Sequence, residues 1–95
     1  MSLLNSCKLA LRLSNDAYDN EVNDLIEACK LDLKLSGVAS SRIVEGDPII
    51  KQAIKTYCKA HFGYNADSEK FKVSYTLLKG HLAIAYSESE VAPNE

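Results

Sequence analysis

The chain lacks any apolar run long enough to cross a membrane: its longest are a few residues, against the roughly 20 a spanning helix needs. Its N-terminus also lacks the apolar stretch and small-residue cleavage site of a signal peptide. A disulfide framework is missing too, because Cys7, Cys29 and Cys58 are odd in number and widely spaced. The expectation is a protein that folds in a reducing cytoplasm with three free thiols. No basic excess is present, since 11 Lys and Arg stand against 13 Asp and Glu for a net charge of −2. A dedicated nucleic-acid binder draws most of its affinity from phosphate neutralisation, so this balance argues against gripping DNA directly. There is no P-loop, dinucleotide fingerprint or pair of carboxylates at a telling spacing. Internal repeats, low-complexity blocks and a second domain are absent as well.

What is present is ordinary globular material. With 46% hydrophobic and 25% charged residues in 95, the chain has enough for one domain with a small core. The stretch 47–64, DPIIKQAIKTYCKAHFGY, organises the rest. Asp47 is suited to cap a helix, and Pro48 to occupy its first position, where a missing N–H costs nothing. Ile50, Ala53, Ile54, Tyr57 and Cys58 then share one helical face. Lys51, Lys55 and Lys59 are expected to make the opposite side wet and positive. Gly63 is placed to close the helix in a left-handed conformation.

The flanking segments read the same way. Residues 2–13 predict a short helix with Ser2 as N-cap, a stripe through either Leu4, Cys7 and Leu11 or Leu3, Cys7 and Ala10, and a basic edge at Lys8 and Arg12. Ser14, Asn15 and Asp16 are turn chemistry. A second helix is predicted from Asp19 or Asn20 to near Ser36, burying Val22, Leu25, Ile26, Cys29 and Leu33 and stopping at Gly37. Leu31 and Leu35 lie off that stripe, so they either widen the core face or meet another chain. Residues 38–46 predict a loop with a helical turn, in which Ile43 and Val44 need cover from the bundle edge or a neighbour. A last helix is predicted over 68–87, with one stripe through Phe71, Tyr75, Leu78, Leu82 and Ala85 and a partial second through Val73, Leu77 and Ile84. An apolar circumference that wide predicts a central helix, or one covered by another molecule. Gly80 in its interior is suited to a close helix approach. The whole predicts an all-α four-helix bundle over residues 1–87 with no dependable sheet, then a flexible acidic tail over 88–95.

Chemistry is thin. Cys58 and His61 share a helical face, and Cys29 and His81 could be added as zinc ligands, but a structural zinc site needs tight ligand pairs and only one exists. Neither a metal nor a cofactor is expected. The same Cys–His pair lacks the orienting group and oxyanion site that a nucleophile requires, so no enzyme activity is expected. His61 near a helix C-terminus suits the dipole and the terminal carbonyls. The lysine row could serve a small helical nucleic-acid-binding regulator, but neither aromatic interleaving nor an arginine-rich arm supports it.

Four segments carry a resemblance: LRLSNDAYDNEVNDLIEACKLDLKLSGV (11–38), DPIIKQAIKTYCKAHFGYN (47–65), the short linker after it, and FKVSYTLLKGHLAIAYS (71–87). In order and spacing they resemble the small head–tail connector, or DNA-packaging adaptor, proteins of tailed bacteriophages and prophages. The likeness covers about residues 2–87. It implies a helical protomer, made in the host cytoplasm, that joins a homo-oligomeric ring of about a dozen copies in the virion neck. Such a ring docks beneath the portal protein, extends the channel through which dsDNA passes without specific binding, and receives the next head-closure or tail protein. The residues assigned as subunit or portal contacts are Leu31, Leu35, Arg42, Ile43, Val44 and Val91. The tail and the 38–46 loop are expected to order on assembly.

Overall fold

The computed structural model describes residues 2–63 and 66–87. Val91, the rest of the 88–95 tail, Tyr64 and Asn65 lie outside the described residues. Four α-helices follow in order: α1 (Leu3–Ala10), α2 (Asp19–Leu35), α3 (Pro48–His61) and α4 (Ser68–Ala85). A single 3-10 turn at Ser40–Arg42 interrupts the α2–α3 connection. Among the described residues there is no strand, and the one extended pairing is an isolated antiparallel bridge between Val38 and Ser87. The all-α expectation holds.

The helix ends follow from local chemistry. Ser2 Oγ accepts the Asn5 N–H at 3.1 Å to start α1. Asp47 Oδ1 accepts the N–H groups of Ile49 and Ile50 at 2.8 and 3.2 Å to start α3, with Pro48 at the first position. Asn15 Oδ1 accepts the Ala17 N–H at 2.9 Å, the turn expected of that tripeptide. Two helices end in the same double-bonded motif. In α2 the Val38 and Gly37 N–H groups reach back to the Leu33 and Lys34 carbonyls, with Gly37 at φ +111°. In α1 the Leu13 and Arg12 N–H groups reach Lys8 and Leu9. There the left-handed position is filled by Arg12, at φ +62°, where glycine is usual. Gly63 does take the expected left-handed conformation, at φ +56°, but α3 already ends one residue earlier, where Phe62 turns to an extended backbone.

The centre of the molecule is α3, which packs against α1, α2 and α4. Ile50, Ala53, Ile54 and Cys58 from it meet Val22, Ile26, Cys29 and Leu33 of α2, Leu3 and Cys7 of α1, and Tyr75 and Leu82 of α4. The expected wet lysine face needs correction. Thr56 and Ala60 are buried on that flank, and Lys51, Lys55 and Lys59 are half-buried. The cause is that α3 has neighbours on both sides: Lys51 and Lys55 line a hollow with Ser6, Leu9 and Ala10 of α1. The Lys59 ammonium lies 5.4 Å from the centre of the Phe71 ring. On α4 the buried stripe narrows to Tyr75 and Leu82 with Phe71 and Leu78 half-covered, and Ala85 is exposed.

Candidate interaction surface

Polar ties and buried sulfur join the helices, and apolar side chains on α2 and α4 are left outside. Lys8 bridges from α1 to Asp19 at 2.7 Å and Asp16 at 3.3 Å, which locks the entry into α2. Those carboxylates, Asp19 above all, raise the proton affinity of the lysine. Between α2 and α4, Asp32 Oδ2 accepts from the Tyr75 hydroxyl at 2.7 Å and from Lys79 at 3.1 Å. The Tyr75 oxygen in turn accepts from Cys29 Sγ at 3.6 Å. The sequence assigned Tyr75 to the apolar stripe; a buried tyrosine needs a partner for its hydroxyl, and Asp32, alone among the leucines late in α2, was the available signal.

The loop before α3 is held onto the end of α4. The Ala39 N–H donates to the Tyr86 carbonyl at 2.7 Å, and the Tyr86 hydroxyl donates to Asp47 Oδ2 at 2.7 Å. The Arg42 guanidinium stacks 3.9 Å from the centre of the Tyr86 ring, a favourable cation–π distance. Val38 and Ala39 are buried. A single copy of the chain therefore already gives this segment partners.

The three cysteines, far apart in sequence, come together in the core where α1, α2 and α3 meet. The neighbouring Cys7 thiol, together with burial, pushes the Cys58 thiol up. Burial pushes Cys29 to about 12. Cys58 has no exposed surface, while His61 is exposed with its ring 4.3 Å from that of Tyr57. A nucleophile that substrate cannot reach does no chemistry, so these two residues form no catalytic couple. Among the described residues, no group of three or more His, Cys, Asp or Glu side chains is placed to hold a metal ion.

Of the residues assigned as contacts, Leu31 is 56% exposed, Leu35 78% and Val44 50%. Ile43 packs partly against the core and lines a shallow hollow of about 330 Å³ together with Leu31, Ser40 and Lys34. Arg42 is exposed but engaged with Tyr86. Val91 lies outside the described residues. On α4, Val73, Leu77 and Ile84 are also exposed, Ile84 at 78%. Gly80 lies among them, and a methyl group added there would meet nothing within 4 Å. An interior helical glycine costs about 1 kcal/mol against alanine, and no contact among the described residues requires it.

The class these features define is a small all-α domain that leaves large apolar side chains uncovered on two of its helices. A family model described as phage connector protein matches residues 3–89, and the chain belongs to that family. Neither curated proteins nor solved structures return a match.

Proposed function

We propose that the chain is a structural adaptor of the virion neck. It forms a ring beneath the portal, extends the DNA channel and receives the next head-closure or tail protein. It is made in the host cytoplasm and acts without catalysis or cofactor. The observation that carries this reading is the surplus apolar surface on two helices of one small protomer, in a chain of the phage connector family. Monomeric soluble proteins seldom keep such stripes uncovered. Closed cyclic assembly also needs two different faces on each subunit, one to give and one to receive. The net charge of −2 fits a conduit through which a polyanion slides without sticking.

The test is electron microscopy and mass measurement of the purified protein, with and without a portal ring. Closed rings that cap the portal are expected. A chain that stays single at high concentration and does not bind portal would end the proposal. The nucleic-acid regulator has less behind it, because Lys51, Lys55 and Lys59 are half-buried rather than displayed.

A further inference from the structure

We infer that the outward stripe of α4 in one copy of the chain seats on the outward stripe of α2 in the next copy, the two helices running parallel. This rests on the ring reading and assigns its two faces. The stripes have the same spacing. On α2, opposite the buried Val22, Ile26, Cys29 and Leu33, the helix presents Asp24, Ala28, Leu31 and Leu35. On α4, opposite Tyr75 and Leu82, it presents Val73, Leu77, Gly80 and Ile84. Each set falls at i, i+4, i+7 and i+11, which is one straight ridge on a helix.

Set side by side in parallel, large residues face small ones. Leu77 meets Ala28, and Leu31 meets the open site at Gly80, where the backbone has no side chain to hold a neighbour away. Leu35 then meets Ile84, the two most exposed large apolar residues of the described chain at 78% each. This gives the glycine the role that the single fold does not.

Charge selects the partner and its direction. With Asp19 paired to Lys8, and Asp32 and Lys79 paired to each other, helix α2 keeps Glu21, Asp24 and Glu27 against Lys30 and Lys34, hence 2 − 3 = −1. Helix α4 keeps Lys70 and Lys72 against Glu69, hence 2 − 1 = +1. Two α2 stripes or two α4 stripes would repel, whereas α2 and α4 attract. The exposed acids Glu21 and Asp24 lie in the first half of α2, and the exposed Lys70 and Lys72 in the first half of α4. Parallel pairing brings these halves together; antiparallel pairing would not. An interface between unlike faces can propagate around a ring, while a self-complementary one stops at a dimer.

The experiment measures assembly of the full chain by sedimentation velocity, with thermal melting of each variant as the check on folding. Gly80→Leu is expected to melt no lower than wild type, since its site is open, yet to weaken assembly about tenfold or more. Asp24→Lys and Lys70→Glu are each expected to weaken it, and the double variant to recover most of the loss, because the pair regains opposite charge. If rings form and neither Gly80→Leu nor the charge exchange affects them, this assignment is overturned while the ring reading stands. A wild-type chain that never self-associates overturns both. If another virion protein, and not a second copy, binds in a way that Gly80→Leu blocks, that protein is the occupant and the inference fails.

Discussion

Tyr75 and Asp32 face each other across the α2–α4 junction, with the phenol oxygen 2.7 Å from the carboxylate. Beside the apolar contacts of these two helices, this hydrogen bond ties α4 to α2 at one height. Lys79 approaches the same oxygen at 3.1 Å, so the carboxylate serves two donors from one helix.

Removing the phenol oxygen should therefore loosen α4 without unfolding the core. Tyr75→Phe is expected to cost about 1 kcal/mol, a net value for a hydrogen bond whose acceptor keeps some access to water. The acid limb should change too. Burial works against ionisation of Asp32, but the hydrogen bonds from Tyr75 and Lys79 outweigh it and hold the carboxyl below its ordinary value. A depressed folded value contributes stability above the unfolded pKa and loses it as pH falls through the folded one, so the loss begins below about pH 4. Urea titrations of both proteins from pH 7 to 2.5 would check this; Tyr75→Phe should show a smaller loss in that window.

The two matching helix ends differ in the residue at the left-handed position, which makes them a controlled pair. Gly37→Ala should destabilise the fold by about 1 kcal/mol, since φ +111° is strained for any side chain. Arg12→Gly should act in the opposite sense, by about 0.5–1 kcal/mol, because φ +62° is then free of Cβ crowding. Denaturant midpoints of the two variants should fall on either side of wild type.

The thiols should be silent in the native protein. Cys7, Cys29 and Cys58 have no exposed surface, so a reagent cannot reach them, and burial also pushes the Cys29 thiol to about 12. A chromogenic thiol reagent should react with none of the three until denaturant is added, and then with all three together. Fast labelling of one cysteine in the folded chain would contradict the packing.

Releasing the Tyr86 clasp should free the loop selectively. In Tyr86→Phe, Asp47 loses the hydroxyl that, more than any other group, holds its carboxyl below the ordinary value. Its bonds to the Ile49 and Ile50 N–H groups remain to start α3. Amide hydrogen exchange should accelerate at Arg42 and Asp47, with the α3 interior unchanged. Equal acceleration throughout α3 would mean that the clasp holds the helix and not the loop.

Much of this architecture was legible because helical periodicity and end signals agree. Ser2, Asp47, Gly37 and Gly63 mark boundaries with local chemistry, and the α2 and α3 stripes bury almost the residues their spacing indicates. Other features depend on which helices become neighbours, and spacing along one helix says nothing about that. The lysine row of α3 looked solvent-facing because its neighbours α1 and α4 are absent from the pattern of α3 itself. The meeting of three cysteines from three helices, and the pairing of Tyr86 with Asp47, are relations between distant positions. Leu31, Leu35, Val73, Leu77 and Ile84 were visible as surplus on their helices, and the fold leaves them uncovered. Arg42 and Ile43 were singled out for outward contacts, yet both also have partners within the chain.

A phage particle matures inside a reducing cell and afterwards drifts in aerated water. Oxidants that would join or modify accessible sulfur find none on Cys7, Cys29 or Cys58. In the ring proposed above, every copy would carry its sulfur out of reach, so the joints between copies would stay free of stray cross-links.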